Sequence, residues 1–268
     1  MKIIKKIVGK LIAWDLRNKI NISKTILANF AFLPYSQAIK LPILIYGPCK
    51  FGGLKGKIEF DEPIKRGLLT IGLSDPVRSQ FSKSYISING TLKVEGNLTL
   101  RRGINMSIAN NSTFVVGNNV FISDNCTIIS FEKITIGKGT VVGNNTVVMD
   151  SDFHSIINTN NGCVNPSKKS IVIGENNWLG GWCTVKKGTV TPKGTIIAGP
   201  YSMVSKDYTD KIPEYSLIAG SPAKLLVSGM RLVNNSESEK MLGNHFAQSA
   251  SSFQLDDLSK LDKFCSPK

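Results

Sequence analysis

The stretch Ile136-Gly137-Lys138-Gly139-Thr140-Val141 runs directly into Val142-Gly143-Asn144-Asn145-Thr146-Val147, and the two hexads agree position by position. An aliphatic residue leads, a small residue comes second, two turn formers follow, and a small or β-branched residue stands fifth. The leading position recurs at Val116, Ile122 and Ile128, then at Ile136, Val142 and Val148. After one interruption it resumes at Ile173, Leu179 and Val185, with Thr191 and Ile197 in phase. A fixed short period of this kind is a signature of stacked coils rather than of an amphipathic helix or a hairpin. An antiparallel sandwich with Asn-Gly turns would need longer strands and would not hold one phase over five successive hexads. The turn pairs Asn118-Asn119, Asn144-Asn145 and Asn176-Asn177 are residue types that tolerate the left-handed backbone of a tight corner. No hexad buries its apolar residue alone, so the whole array is the folding unit.

The chain has 268 residues, which suits one elongated domain with terminal additions, or at most two small domains. Its five cysteines, Cys49, Cys126, Cys163, Cys183 and Cys265, form an odd set without a CxxC pair, so neither a zinc site nor a disulfide framework is expected. Cys126 and Cys183 each fall fifth in a hexad, where a small buried residue is wanted. The formal charge is +14, unevenly spread: residues 1–40 hold eight Lys or Arg against one Asp. There Ile3, Ile4, Ile7, Val8, Leu11 and Ile12 recur at helical spacing, with Lys2, Lys5, Lys6 and Lys10 on the other face. This predicts a basic amphipathic helix, too short and too charged to span a bilayer and lacking a signal-cleavage site. Its apolar face packs on the coils or a neighbouring subunit, or residues 1–20 rest on an anionic membrane surface.

Residues 40–115 are imperfectly periodic, yet Ile86-Ser87-Ile88 and Leu92-Lys93-Val94 alternate as strands do around an Asn89-Gly90 turn. They read as early, irregular coils. From about residue 229 the beat is lost, and a capping helix near residues 255–264 with mobile ends is expected.

Two further segments, Val204-Ser205-Lys206-Asp207 and Ala219-Gly220-Ser221-Pro222-Ala223-Lys224, follow the repeats. Repeats and segments together, over about residues 85–227, resemble the hexapeptide-repeat acyltransferases. The resemblance, and not the period, implies an all-β left-handed parallel β-helix that assembles as a homotrimer and uses acetyl-CoA without a metal. The division expected is residues 1–40 as a helical segment, 41–227 as the β-helix domain, and 228–268 as an extension, partly helical or disordered.

Acetyl transfer to a hydroxyl needs a base, donors for an oxyanion, and a cradle for the phosphates of coenzyme A. The interruption of the beat holds Asp150-Ser151-Asp152-Phe153-His154-Ser155 and the one histidine inside the repeats. An imidazole suits a base at neutral pH. In an extended stretch Asp150, Asp152 and His154 alternate onto one face, so that an aspartate orients the ring. The resemblance makes His154 the catalytic base. It also places Trp178, 24 positions later, in the pocket where galactoside and maltose acetyltransferases carry a tryptophan. It further assigns Gly181, Gly199, Ser205, Lys206 and Lys224 to coenzyme A and puts Ser123 where galactoside acetyltransferases have an acceptor-binding asparagine. Asp150 is expected on the acceptor side. Ala198-Gly199-Pro200-Tyr201-Ser202 departs from the relatives' Gly-Ala-Gly-Ser by one added residue. The loop over about residues 156–170, with Cys163 and Asn165, is expected to protrude over a subunit cleft.

The function implied is O-acetylation of a sugar or glycan precursor for capsule, lipopolysaccharide or a similar envelope polymer. It would take place in the cytoplasm or at the inner membrane face. N-acetylation of an amino-sugar nucleotide and a non-catalytic scaffold are the alternatives. A zinc enzyme of the γ-carbonic anhydrase type needs three histidines, and the chain has His154 and His245 alone. Nucleic-acid binding has only the net charge behind it.

Overall fold

The computed structural model describes residues 19–74 and 82–266; the amphipathic helix expected over residues 3–12 lies outside them. The chain winds as a left-handed parallel β-helix with three flat faces. Among the described residues eight strands build the first face, from Ile43–Ile45 to Leu217–Gly220, and Ala223–Val227 is added at its end as a ninth. Seven build the second, from Cys49–Gly53 to Met203–Val204, and five the third, from Lys57–Phe60 to Ile171–Ile173. Neighbouring strands within a face are parallel except for the last pair of the first face, which is antiparallel.

The leading residues of the hexads form the core. Ile122, Val142, Leu179, Ile197 and Ile218 stand in register up the inside of the first face. Ile128, Val148, Val185 and Val204 do so on the second, and Val116, Ile136 and Ile173 on the third. All are buried. The longer step from Ile128 to Ile136 arises because the third-face strand Lys133–Ile136 turns two side chains inward, Ile134 and Ile136. Asn119, Asn125, Asn145 and Asn176 hold the corners at φ of 57°, 56°, 57° and 53°. Corners of successive coils also touch: a Cβ on Gly143 would lie 2.5 Å from the Gly181 nitrogen, so the second position of that hexad has no room for a side chain. Cys126 and Cys183 are buried between coils, and burial pushes their thiols up to about 12 and about 11.

Helix α1 (Ile22–Phe32) covers the free edge of the first strand. Asn29 donates to Ile43 O at 2.7 Å and accepts from Ile43 N at 3.1 Å, while Thr25 Oγ1 accepts from Ile45 N at 3.0 Å. A one-turn helix α2 (Tyr35–Ala38) leads into the coils.

At the other end the extension is more ordered than its composition suggests. Helix α3 (Ser236–Gln248) was not expected from the sequence, although Asn235 followed by Glu237 and Glu239 is an N-terminal helix signal. The helix expected over 255–264 is a 3₁₀ turn (Leu258–Lys260) running into the short helix α4 (Leu261–Cys265). The extension folds back onto the coils instead of trailing away. Arg231 stacks on Tyr215 at 4.5 Å and pairs with Asp262 at 2.7 Å, and Asn234 Nδ2 donates to Gly139 O at 3.4 Å. No described helix is long and apolar enough to cross a membrane.

Candidate active site

The interruption of the beat is an arm between the second-face strand Val147–Met149 and the third-face strand Ile171–Ile173. Antiparallel bridges Ser151↔Lys168 and Ile157↔Val164 hold its two limbs together. Asp150, at its root, is fully buried and accepts from Phe131 N at 2.7 Å, Glu132 N at 2.9 Å and Ser130 Oγ at 3.2 Å. These bonds satisfy a corner that turns into the third face. Asp150 is therefore a structural anchor and does not reach out toward an acceptor.

The stretch from Asp150 to His154 is not extended, because Phe153 takes a left-handed φ of 61° and its N–H donates to Ser151 Oγ at 3.0 Å. The aspartates consequently do not meet the imidazole. Asp152 is bound instead by Lys187 Nζ at 2.8 Å and Lys186 Nζ at 3.3 Å, and the hydrogen bond from Lys187 is the main cause that holds its carboxyl below the usual range. His154 is exposed, and its backbone N–H donates to Asp152 O at 2.7 Å. Among the described residues its ring makes no hydrogen bond or ion pair. Phe153 packs edge-on against Phe131 at 5.2 Å, which fixes the backbone immediately before the histidine.

Beside this arm lies an open groove of about 850 Å³ lined by Lys168, Lys169, Lys187, Lys206 and Lys211, together with Asn165 and Ser205. Its acidic lining is Glu132, which accepts from Ser170 Oγ at 3.0 Å, and Asp207, which Thr209 caps at 2.6 Å. Hydrogen bonds from Thr209 hold the Asp207 carboxyl below its usual range. With Lys187 already paired to Asp152, four further ammonium groups against two carboxylates leave the groove basic, a setting that suits a polyphosphate. Lys206 also lies over the Tyr208 ring at 5.4 Å, and Tyr208 OH donates to Ala223 O at 3.2 Å, next to exposed Lys224. Tyr208 thereby ties together the two segments that carry Lys206 and Lys224. Sequence reasoning singled out Ser205 and Lys206 but missed Lys168, Lys169, Lys187 and Lys211, whose only signal was their density on either side of the third face.

Trp178 stands on the outside of the first face between Val141 and Ile196, 38% exposed. His154 leaves from the corner between the second and third faces, so the two lie on opposite sides of the prism. Gly181 and Gly199 line successive corners between the first and second faces, where Trp182 and Tyr201 each hold φ of 66° and their rings lie 6.3 Å apart. These two aromatics, exposed by 50% and 73%, were also missed. Their signal was a bulky residue in a turn position that elsewhere carries Asn or Gly. Ser123 is nearly buried two coils away on the same edge, its N–H bonded to Val142 O at 2.9 Å, with Asp124 beside Arg101 at 3.9 Å. Among the described residues no three His, Cys, Asp or Glu side chains are grouped to hold a metal ion.

No model of a protein family matches the sequence. WbbJ of Escherichia coli K12, named for O-acetyl transfer in lipopolysaccharide biosynthesis, is 28% identical over 151 residues, covering 53% of this chain and 74% of that protein. An uncharacterized 24.8 kDa protein of the cps region of Klebsiella pneumoniae is 30% identical over 148 residues, covering 55% of this chain and 63% of that one. The chain is similar to the hexapeptide-repeat O-acetyltransferases. The crystal structure of the polySia-specific acetyltransferase NeuO has the same fold, with a TM-score of 0.54 at 18% identity over 80% of this chain and 91% of that one.

Proposed function

We propose that this chain is an acetyl-CoA-dependent O-acetyltransferase that acetylates a sugar hydroxyl in an envelope glycan or its precursor. The observation that carries the reading is the pairing of an exposed histidine on a pinned turn with a five-lysine groove at the base of the same arm. The similarity to WbbJ and to the cps-region protein supports a glycan acceptor, and the chain spans 74% and 63% of their lengths.

In this reading the solenoid, residues 41–227, is the catalytic unit. His154 takes the proton from the acceptor hydroxyl as its oxygen attacks the thioester carbonyl. Backbone N–H groups hold the charge that develops on the carbonyl oxygen. The sulfur leaves as a thiolate, which is far more stable than an alkoxide and needs little assistance. Ser205, Lys206 and the groove lysines hold the phosphates of the donor, with Lys224 beside them. Trp178, Gly181 and Gly199 line the path of its arm, and Ser123 marks the acceptor end. Asp152 supports the base indirectly, by fixing the turn through Lys186 and Lys187. Because Trp178 and His154 lie on opposite sides of one prism, a site that uses both must be completed by a second copy, as a threefold assembly would arrange.

Calorimetry with acetyl-CoA tests the donor site. Saturable binding, weakened at least about tenfold in Lys206→Ala, is the expected result. A folded protein that binds no acetyl-CoA overturns the reading. For the base, His154→Ala is expected to lose on the order of a hundredfold in transfer with unchanged donor binding, and activity within a few-fold of wild type removes that assignment.

A further inference from the structure

Helix α1 has one buried side and, beside it, an exposed apolar stripe. Its inner side, with Thr25, Ala28, Asn29 and Phe32, is buried against the first coil. Ile22, Ile26 and Phe30, at successive four-residue steps, form a second stripe that is 70%, 47% and 48% exposed. Tyr35, 6.0 Å from Phe30, and Ile39 continue it. A contiguous exposed apolar patch of this kind, on a helix already seated by its other side, marks an interaction surface.

The charge around the stripe indicates the second partner. Residues 19–66 contain seven lysines and one arginine against Glu59, Asp61 and Glu62, and Lys57 is paired with Glu59 at 2.6 Å. Lys19, Lys40, Lys50 and Lys55 are exposed around the same end of the solenoid. A net excess of ammonium groups at the same end as an apolar stripe suits a surface with negative headgroups over acyl chains. Since α1 covers the free edge of the first strand, the stripe faces away from the coils.

We infer that α1 and the turn after it form a membrane-docking face that seats the N-terminal end of the solenoid on a bilayer rich in anionic lipid. Ile22, Ile26 and Phe30 enter the interface and the surrounding lysines meet the headgroups. The inference is independent of the transferase reading.

The test is sedimentation of the full chain with phosphatidylcholine vesicles, with and without phosphatidylglycerol. The expected result is binding at low salt that requires phosphatidylglycerol, is released by raised salt, and weakens at least roughly tenfold in Ile26→Glu and in Phe30→Glu. Both positions are exposed, and circular dichroism checks that the variants fold. Absence of binding, equal binding to neutral vesicles, or binding undiminished by both substitutions overturns the inference. A change of mass in sedimentation equilibrium caused by either substitution makes the stripe a contact between copies of the chain and also overturns it. Acetyl transfer to a soluble acceptor is expected to be the same in both variants, so loss of docking and loss of catalysis are read separately.

Discussion

Lys187 Nζ lies 2.8 Å from Asp152 Oδ2 and donates to Pro166 O at 2.6 Å, so one ammonium group fastens both limbs of the arm that carries His154. The folded arm favours the ionised carboxylate, whose pKa is lowered mainly by the Lys187 hydrogen bond. A lowered folded pKa gives a stabilisation that is complete above the ordinary aspartate value of about 3.9 and is lost as pH falls through the lower folded value. The arm is therefore expected to stay fastened at neutral pH and to open only in acid below about pH 4. Hydrogen exchange of the amides over residues 151–168 checks this against Asp152→Asn, which is expected to exchange faster at neutral pH and to lose the acid dependence. An unchanged profile in the variant would show that the ion pairs do not fasten the arm.

The fold was legible because a β-helix core repeats one packing problem, and each solution leaves the same residue types at the same spacing. Ile122, Val142 and Leu179 announce the first face one by one. The root of the arm was not legible in this way. Asp150 and Asp152 share a parity that suggests a common face, but a left-handed Phe153 breaks the alternation, and the two carboxylates go to partners distant in sequence, at Phe131 and Lys187. Local pattern carries no information about those partners. The extension failed for another reason: α3 is held by its Asn235 cap and by the segment after it, where His245 meets Phe253 at 5.4 Å, so the helix carries little periodic signal of its own.

Cysteine reactivity separates packing from chemistry. Cys163 is exposed on the arm, whereas Cys49, Cys126, Cys183 and Cys265 are buried, and burial pushes the first three of these to about 11, about 12 and about 11. Thiolate is the reactive form. Among the described cysteines, Cys163 alone is expected to react with a maleimide within minutes at neutral pH in the native protein. Mass spectrometry of the labelled chain checks this, and rapid labelling of Cys126 would contradict the packing assigned to it.

The stacked core predicts a sharp contrast between neighbouring positions. Leu179 is fully buried between Val142 and Ile197, while Val172 points outward and is 40% exposed. Leu179→Ala removes apolar contacts and leaves a cavity between coils, at a cost of about 3 kcal/mol. Val172→Ala is expected to cost under about 0.5 kcal/mol. Urea denaturation of both variants distinguishes them, and equal costs would mean that the inward ladder is not the principal source of stability.

Trp182 occupies a corner position that Asn145 fills one coil earlier, at φ of 66° against 57°. A left-handed backbone costs a residue with an ordinary side chain about 1–2 kcal/mol, and asparagine tolerates it better. Against this, the ring contact with Tyr201 at 6.3 Å offsets on the order of 0.5–1 kcal/mol. The backbone effect is the larger, so Trp182→Asn is expected to raise the unfolding free energy by roughly 0.5 kcal/mol. The same substitution removes an exposed indole beside Gly181, on the proposed path of the donor, and is expected to weaken acetyl-CoA binding. Gain of stability with loss of affinity, measured by urea denaturation and calorimetry on one variant, would identify the strained corner as retained for binding. A variant both less stable and equally competent would assign the indole to packing with Tyr201 alone.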